Sequence, residues 1–362
     1  MLYNDALRGL TYDPSLHDDL PAVQAANVDG RHYQVAKADL STLNIAPHFR
    51  GISMAYIGTE DHPHLAGINP KFHFDDLDLD RLINVTIARE WSRADGDPRR
   101  GILIMGDKGV GKTQYLRQRL ARQGIPSAVI SWRPEMDAVD AIYSKTLIGG
   151  DVSIEKGVLW QAAEGGYPVV IEEIDVARPA QLVALNEIID TGTITIPETG
   201  EVIHARRGFC VFANCNSSFT EDRHGGFAGT RSQNISVLDR FFKYTMEAPT
   251  DDAQAKFVKA MYPDVTDEDA GRYAAFMGMV RKASSPDGSG ASVQGSVHRV
   301  SLGFSRRNLI DWVDMTRSFA YLEAQHISVP KYALGPIYTN VLPANERASV
   351  EHLFDLAFGV TA

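Results

Sequence analysis

The chain has 362 residues, enough for about two domains, and 44% hydrophobic and 23% charged residues are typical of an ordinary globular protein. Its formal net charge of −10 argues against a protein that covers nucleic acid with a broad basic face. No apolar run approaches the roughly 18 residues of a membrane-spanning helix, and acids stand near the N-terminus where a secretion signal is basic and then apolar. We therefore expect a cytoplasmic protein without membrane association.

Residues 1–75 show no clear hydrophobic period, and we predict an extension of uncertain structure. Within it, His62 and His64 follow Asp61, with His73 further on. Such residues can ligate a metal, but imidazoles in a polar loop are more often surface groups. We expect surface groups here.

A helix is predicted to begin near residue 76. Leu77, Leu82, Ile83 and Ile87 recur at near-helical spacing. This helix leads into the strand that precedes the most informative stretch of the sequence.

That stretch, GILIMGDKGVGKT, occupies residues 101–113. Apolar residues bounded by glycine predict a buried strand, and the turn after it matches G-x-x-x-x-G-K-[ST]. In such a loop the backbone N–H groups surround phosphates, Lys112 lies near the β/γ oxygens and the Thr113 hydroxyl is offered to Mg²⁺. We therefore predict binding of a nucleoside triphosphate. The predicted binding residues are Gly106, Asp107, Lys108, Gly109, Val110, Gly111, Lys112, Thr113 and Gln114.

Strands and helices alternate through the middle of the chain. Besides the strand before the phosphate loop, four apolar runs predict strands, within 127–131, 167–175, 208–216 and 240–249. The alternation implies an α/β fold with a five-stranded parallel sheet and helices on both faces. Cys210 and Cys215 fall in one extended segment, too close for a disulfide, and are expected to be small buried residues.

Two further segments complete the predicted organisation. Residues 177–192 are predicted to form one helix, with Pro179 near its start, and residues 193–205 alternate around a P-E-T-G turn and predict a hairpin. From about residue 251 the pattern becomes helical, interrupted by a Ser/Gly-rich insertion near 284–296.

Polar residues at the ends of two predicted strands extend the site. Acids at the carboxyl end of a buried strand are costly unless they face metal or water, so Glu172 is predicted to hold the hydration shell of Mg²⁺ and Glu173 to orient the attacking water. A salt-bridged or helix-capping pair is the alternative. Asn216, after the next strand, is predicted to reach the γ-phosphate or that water, and an ordinary turn asparagine is its alternative.

Two arginines are candidates for stabilising the negative charge that develops on the phosphoryl oxygens in the transition state. Arg307, at the start of a helix, could close onto the nucleotide of its own subunit. Arg240, before the fifth strand, lies away from the phosphate loop in sequence and could serve a neighbouring subunit. Either arginine alone could be a solvated surface group.

The order GDKGVGKT, VVIEEIDVARP, FANCNSS, LDRFF and SRRNLIDW resembles AAA+ ATPases of the MoxR branch, and within it the CobS-like ATPase subunits of aerobic cobaltochelatase. The resemblance begins near residue 75 and reaches the C-terminal LFDLAFG. It implies an AAA+ P-loop core at 76–250, an α-helical lid domain at 251–362, and ATP and Mg²⁺ as cofactors. It also implies that Asn216 is sensor 1, Arg240 the arginine finger and Arg307 sensor 2. In a sheet wound as in this family, an intervening strand and Asn216 should separate Arg240 from its own phosphate loop, so we expect Arg240 to serve the neighbouring subunit.

The same resemblance implies a hexameric ring. Residues 156–166 match the end of the helix-2 insert and residues 193–205 the pre-sensor hairpin, both expected to face the ring pore. Three departures stand out: Glu172 replaces the usual Walker-B aspartate, the lid carries the extra insertion, and residues 1–75 have no counterpart.

The function predicted is that of an Mg-ATP-dependent ring ATPase that remodels or activates a protein partner, in this family often one with a von Willebrand factor A domain. The first alternative is the ATPase subunit of a cobaltochelatase, driving metal insertion into a corrin ring. The second is an ATP-gated scaffold whose turnover is negligible because of Glu172. Nucleic-acid translocation, which would draw on His204, Arg206 and Arg207, is the weakest hypothesis because the chain is acidic.

Overall fold

The computed structural model describes part of the chain, in the ranges 23–28, 31–39, 53–57, 62–69, 72, 76–94, 96–123, 125–148, 151–216, 235–284, 291–293 and 296–359. Asp61, His73 and most of the predicted insertion at 284–296 lie outside these residues. Every helix within the described ranges falls short of the length or the apolar character that a membrane span requires.

Three antiparallel strands precede the nucleotide-binding region, in the order β1-β2-β3. They are β1 (Val23–Val28), β2 (Arg31–Asp39) and β3 (Ser53–Ile57). Gly67 and Asn69 then lie against the helix after the phosphate loop, where the side chain of Gln118 accepts a hydrogen bond from Asn69 N at 2.7 Å and donates one to Gly67 O at 2.9 Å. The predicted extension is therefore attached to the core in its last part.

Helix α1 (Leu77–Ser92) begins where the sequence predicts it. Asp76 caps it by accepting from Leu79 N at 2.9 Å, and Leu79, Ile83 and Ile87 are buried. Leu77, predicted to share that face, is 67% exposed, because residues two apart on a helix point about 200° apart and Leu79 occupies the buried side.

The α/β core follows in chain order. Its first half comprises β4 (Gly101–Met105), α2 (Lys112–Arg122), β5 (Ala128–Ser131), α3 (Ala138–Ile142), β6 (Tyr143–Ile148), β7 (Asp151–Lys156), α4 (Val158–Gly165) and β8 (Val169–Glu172). Its second half comprises α5 (Pro179–Ala184), α6 (Asn186–Asp190), β9 (Thr193–Ile196), β10 (Glu201–His204), β11 (Val211–Cys215), α7 (Ile235–Leu238) and β12 (Phe241–Thr245). The single helix predicted at 177–192 is thus two short helices that meet at Leu185.

The central sheet has five strands, all parallel, in the order β12-β4-β11-β8-β5. Because side chains alternate along each strand, Val170 faces the core beneath α1 and α2, whereas Val169 and Ile171 face the core on the other side. The prediction of a five-stranded parallel sheet covered on both faces is confirmed. The β9–β10 hairpin is likewise present, and Cys210 and Cys215 are buried free thiols.

The C-terminal region is helical and has its own core. It comprises α8 (Asp251–Met261), α9 (Asp267–Ala283), the short strands β13 (Ala291–Val293) and β14 (Ser296–His298), α10 (Arg306–Ser318), α11 (Val329–Ile337) and α12 (Ala344–Phe358). Trp312 is fully buried and packs against Phe276 at 4.9 Å and Tyr273 at 4.6 Å between ring centroids. This region is consistent with the predicted lid.

Candidate nucleotide-binding site

The phosphate loop joins β4 to α2 through glycines that no other residue could replace without strain. Gly106, Gly109 and Gly111 have φ of 147°, 84° and 107°. A Cβ at Gly106 would collide with the Met246 carbonyl. Gly111 caps α2 without a side chain, so the first N–H groups of this 11-residue helix are left for an anion. The loop therefore fits a phosphate chain.

Lys112 lies at the centre of this loop and is 6% exposed. Its ammonium group donates to Gly106 O at 2.7 Å, Asp107 O at 2.9 Å and Asn216 Oδ1 at 3.0 Å. Burial lowers the pKa of Lys112, although the nearby carboxylates oppose that change. Phosphate oxygens would replace these neutral acceptors with charged ones, which strengthens the hydrogen bonds of the lysine.

The side chains of the two predicted acids, Glu172 and Glu173, point to different parts of the structure. Glu172 Oε2 accepts from Ser131 Oγ at 2.6 Å, on the edge strand β5. Glu173 follows β8 in the left-handed region, with φ 54° and ψ 42°, and its Oε1 accepts from Asn216 Nδ2 at 3.4 Å. The structure therefore brings Glu173, Asn216 and Lys112 into one network, whereas Glu172 turns toward the sheet edge.

Asn214 is a site residue that the sequence analysis missed. It lies on the central strand β11, is 3% exposed, donates to Thr113 Oγ1 at 2.8 Å and accepts from Glu173 N at 3.2 Å. The sequence could have indicated it, because Asn214 lies two residues before Asn216 and residues two apart share one face of a strand.

Asp175 was also missed. It is 1% exposed, and its Oδ2 accepts from Asn216 N at 3.1 Å, so it helps to hold the predicted sensor. The oxygens of Thr113 and of the two glutamates are ligands of the kind that Mg²⁺ prefers. Within the described residues, no group of three or more His, Cys, Asp or Glu could hold a metal ion.

The histidines considered as possible metal ligands, His62 and His64, do not both lie on the surface as expected. His62 is 7% exposed rather than on the surface, and its ring lies 5.2 Å from that of Tyr167. Burial lowers the pKa of His64. The expectation of surface imidazoles is therefore wrong for His62.

The two arginines lie at opposite ends of the core. Arg240 immediately precedes β12, which pairs directly with β4 in the register Phe241↔Gly101 to Thr245↔Met105. No strand lies between them, so the predicted reason for its separation from its own loop is wrong. Instead, parallel pairing puts Arg240 at the amino end of the sheet, roughly 16 Å of strand away from the phosphate loop at the carboxyl end.

Arg307 lies in the first turn of α10 and is exposed. That helix begins against the phosphate loop, because a Cβ at Gly109 would collide with the side chain of Ser305, its N-cap. Ser305 and Asn308 cap the helix reciprocally. The lid therefore touches the loop at the turn that carries Arg307.

A cleft of about 410 Å³ opens beside the phosphate loop, between the end of β12 and the lid. It is lined by Asp76, Val110, Tyr244, Thr245, Met246, Glu247, Ala248, Pro249, Thr250, Ala253 and Arg306. Its walls combine apolar and polar side chains in similar measure, and a cleft of this kind next to a phosphate-binding loop suits the base and sugar of a nucleotide. Tyr244 donates to Asp76 Oδ1 at 2.5 Å and so joins two walls of the cleft.

Two hairpins lie together on another part of the core. The predicted match at 156–166 corresponds to the last residue of β7 and to α4, and the β6–β7 hairpin precedes it. Glu198, in the turn of the β9–β10 hairpin, accepts from Tyr143 Oη at 2.7 Å and pairs with Lys145 at 2.5 Å. These contacts lower the pKa of Glu198 to about 2.

The comparisons with known proteins agree with this geometry. Residues 101–228 match the model of the AAA domain of the dynein-related subfamily. The chain is 24% identical over 267 residues to the aerobic cobaltochelatase subunit CobS of Sinorhizobium sp, across 72% of this chain and 76% of that protein.

Two further relatives match shorter stretches. Identity is 31% over 119 residues to NorQ of Paracoccus denitrificans (33% of this chain, 44% of that protein), and 31% over 147 residues to YojN of Bacillus subtilis (39% and 46%). The chain thus covers about three quarters of CobS but under half of these two relatives. Residues 101–228 therefore match an AAA domain, and the chain is similar to AAA+ ATPases of the CobS and NorQ type.

Proposed function

We propose that this protein binds and hydrolyses Mg-ATP in a hexameric ring of identical subunits and uses the hydrolysis to remodel or activate a protein partner. The observation that carries the proposal is the network in which Asn216 joins Lys112 to the Glu173 carboxylate, at 3.0 and 3.4 Å. Such a network connects the group that binds phosphate to the group that would orient water.

Each residue has a distinct task in this proposal. The loop amides and Lys112 bind the phosphates, Glu173 accepts a proton from the attacking water, and Asn216 keeps the carboxylate directed at it. Mg²⁺, held by Thr113 and through water by Glu172, would supply charge neutralisation at the phosphoryl oxygens. Arg307 would approach from the lid and Arg240 from the neighbouring subunit.

Nucleotide binding is tested by Lys112→Ala with a fluorescent ATP analogue. Loss of the buried ammonium should weaken binding at least about 100-fold, about 2.7 kcal/mol. Lys256→Ala is the matched control, because Lys256 is exposed and pairs with Asp252 on the lid surface at 2.7 Å. Micromolar affinity retained by Lys112→Ala would show that the loop is not the phosphate site.

The partner is proposed to carry a von Willebrand factor A domain. The support is resemblance to the MoxR branch, and the similarity to CobS and NorQ is compatible with it. The test is purification of the tagged protein from its native host with ATP present, followed by identification of co-eluting proteins. Recovery of other partner classes only, with no such domain among them, would reject this part of the proposal.

A cobaltochelatase role is the second candidate, because the similarity to the cobaltochelatase subunit CobS covers 76% of that protein. It predicts ATP-dependent insertion of Co²⁺ into a corrin precursor when cognate large and von Willebrand factor A subunits are added. Absence of insertion with those subunits would reject this role and leave general remodelling in place.

An ATP-gated scaffold is the third candidate, since Glu172 stands in place of aspartate and binds Ser131. If the longer acid suppresses turnover, Glu172→Asp should raise the hydrolysis rate strongly. Brisk turnover by the unmutated protein would remove the reason for this candidate.

A further inference from the structure

We propose that Asn214 is a positioning residue for hydrolysis, which fixes both the Thr113 hydroxyl at the metal position and the backbone of Glu173. The inference rests on the proposed ATPase function and adds to it a residue outside the phosphate loop and outside the predicted sensor. Asn214 itself touches neither the lysine of the loop nor the carboxylate of Glu173 through any hydrogen bond found among the described residues.

The placement of Asn214 is determined by the sheet. It lies at the carboxyl end of β11, between β4, which leads into the phosphate loop, and β8, which leads into Glu173. A buried amide is unfavourable unless both of its ends are hydrogen-bonded, and this one, 3% exposed, uses both. A side chain of this length at this strand position can therefore connect the two neighbouring strand ends.

The orientation of the amide follows from its partners. The backbone N–H of Glu173 can only donate, so the group that faces it at 3.2 Å must be the oxygen of Asn214. The amide nitrogen must then face Thr113 Oγ1, at 2.8 Å. The direction of each bond is thus fixed by chemistry.

The bond to Thr113 controls how its hydroxyl is presented. A hydroxyl has two lone pairs and one proton, and the amide of Asn214 occupies one lone pair. The other lone pair is left for a cation, and the side chain cannot rotate without breaking a buried bond. Asn214 therefore acts on the metal through Thr113.

The bond to Glu173 controls the water-orienting carboxylate. With φ of 54°, Glu173 has a backbone conformation that residues other than glycine rarely adopt, and Asn214 accepts its N–H there. This turn separates its side chain from that of Glu172, which continues the strand and reaches Ser131. Asn214 thus helps to aim Glu173 toward Asn216.

The experiment compares the affinity of a fluorescent ATP analogue in Mg²⁺ with its affinity in EDTA. Asn214→Leu keeps the branched shape of the side chain but removes both hydrogen bonds, and the smaller Asn214→Ser is used if the leucine variant does not fold. We expect the Mg²⁺-dependent gain in affinity to fall roughly 10-fold or more, as for residues that orient metal ligands, with affinity in EDTA nearly unchanged. The hydrolysis rate should fall as well.

Two controls separate positioning from general damage. Asn84→Leu removes another buried asparagine of the same core, one that accepts from Arg119 and Gln123, and should keep the Mg²⁺ response. In a Thr113→Val background the Mg²⁺ response is already lost, so adding Asn214→Leu should reduce it no further.

The inference is overturned if Asn214→Leu keeps the full Mg²⁺ response, or if its effect is as large in the Thr113→Val background as in the unmutated protein. These results leave ATP binding by the unmutated protein intact, so the proposed function survives them. If the unmutated protein binds no ATP with or without Mg²⁺, the proposed function and this inference both fail.

Discussion

Removal of the buried guanidinium of Arg99 should destabilise the core strongly. Arg99 is 2% exposed, pairs with the buried Glu90, and donates to the carbonyls of Phe209 and Ala205, each at 2.7 Å. Arg99→Met would leave the buried Glu90 carboxylate with only the more distant Arg93, at 3.7 Å, as its cationic partner among the described residues, and would remove this donor from both carbonyls. Breaking such a pair costs about 3–5 kcal/mol, a large share of the stability of an ordinary domain.

A neighbouring arginine provides the matched control. Arg100 pairs with Asp190 at 2.6 Å, but about a third of each side chain is exposed. Arg100→Met should therefore cost only about 0–1 kcal/mol. The assay is equilibrium unfolding in urea followed by tryptophan fluorescence, with the two variants and the unmutated protein measured together.

The pH dependence gives the same prediction a second readout. Burial raises the pKa of Glu90 from 4.5 to about 7, although Arg99 acts in the opposite direction. Between these values the folded chain holds a proton that the unfolded chain releases, so the free energy of unfolding should fall by about 3 kcal/mol as pH rises from about 4.5 to 7. Arg99→Met removes the opposing charge, so its penalty should be larger at pH 8 than at pH 5.5.

Two results would refute this reasoning. One is an Arg99→Met variant no less stable than Arg100→Met at pH 8. The other is a pH profile of unfolding that Glu90→Gln leaves unchanged, because that substitution removes the titrating group and should flatten the slope.

Three further predictions concern the shared site, the lid and the hairpins. Mixing Arg240→Ala with Lys112→Ala should restore part of the ATPase activity, since they damage opposite sides of one interface; no recovery in a mixture shown to co-assemble would contradict a shared site. His298 is 8% exposed and stacks on His352 at 5.0 Å, and burial lowers the pKa of His298. The free energy of unfolding should therefore fall as the pH drops below about 6.5, and it should fall less steeply in His352→Gln. Equal pH profiles of the variant and the unmutated protein would contradict this prediction. Glu198→Gln weakens the contact between the two hairpins and should therefore speed limited proteolysis of the β6–β7 hairpin. An unchanged digestion pattern would show that this contact does not restrain the hairpin.

Much of the fold follows from local patterns. Short apolar runs bounded by glycine identify the strands, because a buried parallel strand has no polar face and glycine ends it. The phosphate loop is equally local, since its glycines and Lys112 lie within eight consecutive residues of the motif. Leu77 shows the limit, because spacing alone does not say which side of a helix the first residue faces.

The remainder of the site depends on which strands are neighbours. Glu172 reaches Ser131 only because β5 pairs with β8, and Asn214 reaches Thr113 only because β11 lies beside β4. Sequence order does not reveal this arrangement, since chain neighbours such as β4 and β5 lie far apart in the sheet. The same holds for Arg240, whose distance from the loop follows from strand direction.

The central claim is that the Glu173 carboxylate drives ATP hydrolysis at the phosphate loop. The most direct measurement is a single-turnover assay with radiolabelled ATP and Mg²⁺, comparing Glu173→Gln with the unmutated protein. We predict that the variant binds ATP with nearly normal affinity and retains it unhydrolysed, while the unmutated protein releases phosphate. Phosphate release by Glu173→Gln at the unmutated rate, or none by either protein, would contradict the claim.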